Sequence, residues 1–114
     1  MNRQTSESSA EREGGNIKRN YVIKKRCAQK ITSFYRNVSK KYKHTYSLEL
    51  MEQNVHEAYD SIYQIERLLL RREPTISRWK GYYMANSDKW YFAYKIDGET
   101  ITVVDACHAQ NMHE

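Results

Sequence analysis

The stretch of sequence that decides the fold is WYFAYKIDGETITVVDACH, residues 90–108. Two segments of alternating apolar and polar residues flank Asp97-Gly98, a dipeptide typical of two-residue hairpin turns, which favour residues that accept a positive φ. The pattern predicts strands over 89–96 and 99–108. With Asp97-Gly98 as the turn, the predicted register pairs Ile96 with Glu99, Tyr94 with Ile101, Phe92 with Val103 and Trp90 with Asp105.

The two faces of this hairpin differ in chemistry. Because side chains alternate along a strand, one face is apolar, and we expect it to pack on the rest of the protein. Its residues are Phe92, Tyr94, Ile96, Ile101 and Val103. The opposite face is polar, basic and tyrosine-bearing, and we expect it to stay open. Its residues are Lys89, Tyr91, Lys95, Thr102, Val104 and His108.

The sequence before the hairpin contains two helical patterns. The apolar spacing predicts a long helix over 47–71, with Ser47 as its N-cap. After this helix, residues 77–84 have the period of a strand. A second apolar stripe predicts a helix over 26–43, and the short apolar run at residues 21–23 predicts a first strand. The predicted fold class is α+β: an N-terminal strand, an antiparallel two-helix hairpin and a three-stranded antiparallel sheet with one open face.

Charge separates the two predicted helices. Between Tyr21 and Lys43 there are eight Lys or Arg and no acids, whereas between His44 and Glu66 there are five Asp or Glu and no Lys or Arg. Because a short loop makes the helices neighbours, we expect the basic helix to be balanced by the acidic one. The alternative is a nucleic-acid patch on the basic helix.

Length and composition restrict the class of protein. The chain has 114 residues, 39% of them hydrophobic and 29% charged, with a formal net charge of +5. These values predict one soluble domain over 21–114, after a polar, flexible extension over 1–20. We find no apolar run long enough for a membrane span, no signal-peptide core and only two cysteines, so we expect a cytoplasmic protein without a disulfide framework or a membrane partner.

Three motifs, in this order, resemble the RelE/ParE toxin superfamily of bacterial type II toxin–antitoxin systems. They are Arg72-Glu73-Pro74 leading into Trp79-Lys80-Gly81, the strand and turn of residues 90–98, and the last strand, residues 103–108, with its short polar tail. The resemblance covers residues 21–113. It implies a toxin with a cognate antitoxin as partner. For the RelE-like branch it also implies a metal-independent endoribonuclease that cuts mRNA on the ribosome and inhibits translation, whereas ParE-like members inhibit DNA gyrase.

Four residues are candidates for the chemistry of RNA cleavage. The reaction needs a base for the ribose 2′-hydroxyl, cations for the phosphorane-like transition state and an acid for the leaving oxygen. His108, at the end of the last strand, is the first candidate for acid or base because imidazole titrates near neutral pH. His113 in the tail is the second. Lys80 and Arg78, which would share one face of a strand, are candidates to hold the scissile phosphate.

Six further residues are candidates for RNA binding, as cations for phosphates or as tyrosines that stack on bases. They are Arg71, Arg72, Tyr82, Lys89, Tyr91 and Lys95. At Tyr91 the sequence departs from the resemblance, because RelE-like members carry an arginine three residues before the tyrosine that Tyr94 matches. That departure favours two alternatives, a ParE-like gyrase inhibitor or a catalytically weak partner of the antitoxin. A generic RNA-binding domain is the third.

No cofactor or metal site is expected from the motifs. Cys107 and His108 are adjacent in sequence, but they point to opposite sides of a strand and lack a second ligand pair, so they do not predict a zinc site. The sequence contains no P-loop and no dinucleotide-binding glycine pattern.

Overall fold

The computed structural model describes residues 19–68 and 71–113. The strands are β1 (Asn20–Ile23), β2 (Tyr83–Ser87), β3 (Trp90–Asp97) and β4 (Thr100–His108), and the helices are α1 (Lys25–Lys41) and α2 (Leu48–Ile62). Short 3₁₀ helices span Ile65–Arg67, Ser77–Trp79 and Ala109–Asn111. The predicted extension over 1–20 lies outside the described residues except for its last two, and Asn20 already belongs to β1.

The α+β prediction is confirmed, and the sheet has four strands in the order β1-β4-β3-β2. The predicted first strand joins the sheet beside β4, with Tyr21 opposite Ile101, and it runs parallel to β4. The other two pairings are antiparallel, as the hairpin pattern predicts. Because α1 follows β1 after a single residue, the sheet fixes where the first helix begins.

The register of the hairpin differs from the prediction in two places. Asp97 pairs with Thr100, so the turn residues are Gly98 and Glu99, and Tyr94 lies opposite Val103. This displacement is an even number of residues, and each side chain therefore keeps its face. As predicted, the side chains of Phe92, Tyr94, Ile101 and Val103 are fully buried, and Ile96 packs against the same core.

A β-bulge at Val104 changes the second half of β4. Tyr94 pairs with Val103 and Ala93 pairs with Asp105, so Val104 has no partner on β3. Because of this extra residue, each side chain of β4 after Val104 lies on the opposite face of the sheet from the predicted one. Trp90 therefore lies opposite His108, not opposite Asp105. The prediction that His108 faces the open side of the sheet is wrong.

The main core lies between the sheet and the two helices. Cys27, Ile31 and Tyr35 of α1 pack with Ala58 and Ile62 of α2 on the apolar face of the hairpin. As predicted, Ser47 caps α2, because its Oγ accepts the N–H of Leu50 at 3.0 Å.

Helix α2 ends at Ile62, well before the predicted end at residue 71. A turn and the 3₁₀ helix Ile65–Arg67 follow it. Ile65 is nevertheless buried in the main core, because the tighter turn keeps it on the apolar side. The hydroxyl of Tyr21 accepts the N–H of Glu66 at 3.1 Å and holds this segment against β1.

The second face of the sheet is partly covered, which corrects the expectation of an open face. Ile76 and Trp79 pack on Met84, Ala93 and Cys107 in a second, smaller core. The strand predicted over 77–84 is displaced toward the C-terminus, since only its residues 83 and 84 belong to β2. Its first residues form the 3₁₀ helix Ser77–Trp79, and Gly81, at φ +97°, turns the chain into β2. Arg78 and Lys80 therefore do not share a strand face.

The basic helix is not neutralised by the acidic one. Across residues 19–68 and 71–113, no ion pair joins α1 to α2. Arg26 and Lys30 of α1 instead approach Asp105 of β4. The expected balance between the helices is therefore wrong, and most of the positive charge of α1 faces solvent. Over the same residues, no helix is long and apolar enough to cross a bilayer.

Candidate functional site

A cleft of about 270 Å³ lies between α1 and the C-terminal end of β4. Its position follows from the bulge, which turns the last residues of β4 toward the helix. The wall from α1 contains Lys30, Ser33, Phe34 and Asn37, and the remaining wall contains Arg78, Trp90, Ala106, Cys107, His108 and Asn111. Polar donors thus surround an aromatic floor.

His108 is held by aromatic packing and by one hydrogen bond. Its ring stacks on Phe34 with centroids 4.1 Å apart and meets the Trp90 ring edge-on. His108 Nδ1 accepts the main-chain N–H of Gln110 at 3.2 Å. Since an amide N–H can only donate, Nδ1 is unprotonated in this geometry, and the neutral ring carries its proton on Nε2.

The environment of His108 disfavours its charged form. Burial is the largest cause and lowers the pKa of the imidazole, and the positive charge of Lys89 lowers it further, while Asp88 acts in the opposite direction. The hydrogen bond at Nδ1 agrees with this shift, because an imidazolium would have to place a proton against the N–H of Gln110. His108 in the cleft is therefore a neutral side chain that can donate from Nε2.

Arg78 reaches the same cleft from the 3₁₀ helix. Its Nη1 donates to the main-chain carbonyl of His113 at 3.1 Å, and its Nη2 lies 3.3 Å from Cys107 Sγ. The guanidinium carbon lies 5.9 Å from the centre of the Trp79 ring. These contacts fix the guanidinium and bring the C-terminal segment near it. Arg78 remains exposed and can still donate hydrogen bonds to an anion.

Asp105 organises the cations beside the cleft, and sequence reasoning did not identify it as a site residue. Its carboxylate accepts the Trp79 indole N–H at 2.9 Å and the Ala106 main-chain N–H at 2.9 Å. Arg26 Nε lies 3.5 Å and Lys30 Nζ 3.4 Å from Asp105 Oδ1. Lys30 lines the cleft, so this carboxylate fixes one wall of the cleft.

The pKa of Asp105 reflects opposing effects. Burial raises it, but the hydrogen bonds from Trp79 and Ala106 and the charge of Lys30 outweigh burial, and the net shift is downward. The carboxylate is therefore ionised at neutral pH. It gives Lys30 a charged partner within the fold.

The other predicted residues lie apart from the cleft or only approach it. Arg71, at φ 63°, donates its main-chain N–H to the hydroxyl of Tyr94, and its guanidinium donates to the hydroxyl of Tyr83 at 3.2 Å. Tyr91 is half-buried against the second core. The main-chain carbonyl of Lys89 accepts the N–H of Ala109 below the cleft. The cleft is not lined by Lys80, Arg71, Arg72, Tyr82, Lys89, Tyr91 or Lys95.

The structure thus brings together His108, Arg78 and the main chain of His113, although by a different geometry from the predicted strand face. It adds the α1 residues Lys30 and Asn37. In the sequence, Lys30 and Asn37 are recognisable only as polar residues at the edge of the apolar stripe of α1. Within the described part of the chain, no group of three or more His, Cys, Asp or Glu could hold a metal ion.

Comparison with known proteins yields a shared fold. No protein-family model and no curated protein matches this chain. Among solved structures, a chain of the chromosomal ParDE TA system from P. aeruginosa is similar to it, with a TM-score of 0.60 and 9% sequence identity. The match covers 80% of this chain and 96% of that chain.

Proposed function

We propose that this chain is the toxin of a toxin–antitoxin pair. The observation that carries the proposal is the fold it shares with a chain of the ParDE system, over nearly the whole of that chain. The sequence motifs that resemble the RelE/ParE superfamily support it independently, because they depend on the residue pattern alone. An antitoxin protein is the partner that the proposal requires.

For its activity we propose RNA cleavage in the cleft. Arg78 and Lys30 supply positive charge on two sides of the cleft, and the neutral His108 presents an Nε2–H donor between them. A phosphodiester could accept hydrogen bonds from all three groups, and cations placed around a developing negative charge lower the barrier of phosphoryl chemistry. The aromatic rings of Phe34 and Trp90 give an adjacent base an apolar surface.

In this proposal His108 is not the proton-transfer group. Its Nδ1 is occupied by the Gln110 N–H and its charged form is disfavoured, so it serves as a fixed hydrogen-bond donor. Proton transfer is assigned to His113, an exposed residue whose carbonyl is held by Arg78. In this role the imidazole takes the proton of the ribose 2′-hydroxyl, and a water molecule protonates the leaving 5′-oxygen.

A second candidate function is inhibition of DNA gyrase, as in the ParE-like branch. The observation that favours it is Tyr91, which stands where the RelE-like motif has an arginine and lies half-buried in the second core. A toxin of this kind would bind its target and cut no RNA. The similar chain from the ParDE system agrees with either candidate, since the likeness concerns the fold.

The deciding experiment is inducible expression in a bacterial host, with growth, 5′ ends of cellular RNA and gyrase-linked DNA breaks measured together. Arg78→Gln removes one of the two cleft cations, and Lys80→Gln removes an exposed cation two residues away as the matched control. The proposal expects growth arrest and new RNA ends for the wild type and Lys80→Gln, and neither for Arg78→Gln. Repeating the cleavage in a purified system with and without ribosomes tests ribosome dependence.

The other outcomes are equally defined. Arrest with gyrase-linked breaks and no new RNA ends would replace RNA cleavage by the second candidate. Soluble expression without any arrest would contradict the toxin proposal itself. Rescue of growth by the product of an adjacent reading frame would identify the antitoxin.

A further inference from the structure

Helix α1 carries a second groove on its solvent side, next to the cleft. It has a volume of about 450 Å³ and is lined by Lys25, Ala28, Gln29, Thr32, Ser33 and Arg36. The two share one lining residue, Ser33, and therefore adjoin each other along α1. A ligand that extends from the cleft past Ser33 along α1 would therefore meet this groove.

The charge of the groove is not used by the fold. Within residues 19–68 and 71–113, neither Lys25 nor Arg36 forms an ion pair, and both side chains are exposed. Helix α1 contains no acidic residue that could neutralise them. The two cations are eleven positions apart, which is about 16 Å along a helix.

The groove has the chemistry of a surface for phosphates. Gln29, Thr32 and Ser33, which can donate neutral hydrogen bonds, lie between the two cations, and Ala28 is the sole apolar residue of its lining. Protein partners are bound mainly through buried aromatic and apolar anchors, and this lining offers no pocket for one. The exposed large apolar side chains of the described chain lie elsewhere, at Val22, Tyr42, Leu48, Leu50, Tyr63 and Tyr82.

We propose that this groove, from Lys25 to Arg36, binds the sugar–phosphate backbone of single-stranded RNA that extends from the cleft. The inference rests on the proposed function, because RNA cleavage in the cleft supplies the strand that the groove would hold. It adds a binding surface on the basic helix that contributes to affinity and to placing the strand in the cleft. Such contacts are independent of base sequence.

The test compares two double variants that remove the same charge from the same helix. Lys25→Gln with Arg36→Gln removes the groove cations, and Lys40→Gln with Lys41→Gln removes two exposed lysines beyond the groove. The probe is a fluorescent 2′-O-methyl RNA oligonucleotide, which lacks the nucleophilic hydroxyl and stays uncut. Fluorescence anisotropy gives the affinity at several KCl concentrations, and circular dichroism checks that each variant is folded.

Two phosphate contacts should be lost in the groove variant. For single strands, each contact adds about 0.7 to the slope of log affinity against log salt, so the slope should fall by about 1.4. We expect the control variant to keep a slope closer to that of the wild type and to bind more tightly than the groove variant at low salt. Equal slopes for both double variants would overturn the inference. So would polyglutamate that binds through the groove cations more tightly than the RNA does, which would indicate an acidic protein as the ligand.

Failure of the inference and failure of the proposed function give different results. If the wild type cuts cellular RNA but the groove variant binds the probe as tightly as the control variant, the inference alone is wrong. If the groove is needed for binding the probe but the wild type cuts no RNA, RNA cleavage is wrong and the binding surface stands. A duplex DNA probe of the same length that binds more tightly through the groove would overturn the choice of single-stranded RNA.

Discussion

The indole N–H of Trp79 donates a hydrogen bond of 2.9 Å to Oδ2 of Asp105, and both residues are buried. This contact joins the 3₁₀ helix before β2 to the bulged part of β4. It also directs Oδ1 of the same carboxylate toward Lys30, at 3.4 Å, on the wall of the cleft. The second core and the candidate site are therefore linked through one side chain.

Trp79→Phe should destabilise the protein, because it removes the donor to a buried carboxylate and leaves part of the space of the indole empty. Hydrogen bonds to charged groups contribute about 1.5–3 kcal/mol. A double-mutant cycle with Asp105→Ala, measured by urea unfolding at pH 7, should give a coupling energy in about that range. Strictly additive effects of the two substitutions would show that the contact does not stabilise the fold.

The lowered pKa of Asp105 predicts a loss of stability in acid. A carboxyl group whose pKa is lower in the folded state stabilises the fold above its unfolded pKa, about 3.9, and this contribution disappears as the pH falls through the folded pKa. The wild type should therefore be more stable than Asp105→Asn between pH 5 and pH 7, and the difference should shrink below about pH 4. Urea unfolding of both proteins across this range measures it. A difference independent of pH would contradict the assignment.

The lowered pKa of His108 predicts a second, separate pH effect. The unfolded imidazole takes up a proton near pH 6.5, but the folded one resists it because of burial and Lys89. Stability should therefore fall as the pH drops below about 6.5. His108→Asn, whose amide oxygen can accept the Gln110 N–H in place of Nδ1, should lack this decrease. The exposed histidines at 44, 56 and 113 are present in both proteins and cancel in the comparison.

The sequence patterns predicted the fold where side-chain periodicity is determined by burial. The apolar stripes of α1 and of the first part of α2 are regular because every third or fourth residue meets the sheet. The same periodicity predicted too long an α2, because Ile65 is buried in the core although the helix has already ended before it. A 3₁₀ turn and a helix can therefore share one apolar pattern.

The site was harder to predict than the fold, because its geometry depends on one residue without a local signal. Val104 is an ordinary strand former, yet it forms the bulge that moves His108 from one face of the sheet to the other. The role of Asp105 could not be predicted from the sequence either, since a lone carboxylate in a strand usually faces solvent. Its role requires Trp79 and Lys30, which lie 26 and 75 positions away in sequence.

Both cysteines should be slow to react in the folded protein. Burial, followed by the charge of Asp105, raises the pKa of Cys27 to about 12, so only about one in ten thousand of its thiols is ionised at pH 8. Burial also raises the pKa of Cys107, although Arg78 and Lys30 oppose that rise. Ellman's reagent at pH 8 should label Cys107→Ser more slowly than Cys27→Ala, and both slowly compared with their unfolded forms. Rapid labelling of Cys27 in the native state would contradict its position in the core.

The role of His108 can be separated from proton transfer by two amide substitutions. His108→Gln can place an N–H donor near the position of Nε2, whereas His108→Asn retains only the acceptor for the Gln110 N–H. If His108 acts as a fixed donor to the phosphate, Gln should keep a measurable part of the RNA cleavage rate and Asn should lose more, by about tenfold or greater for a lost charge-assisted hydrogen bond. If His108 instead transfers a proton, neither amide can replace it, and both variants should be equally inactive. Single-turnover cleavage measured across pH 5–9 distinguishes the two roles of His108. If the group that titrates lies elsewhere, the active His108→Gln variant should keep the pH profile of the wild type.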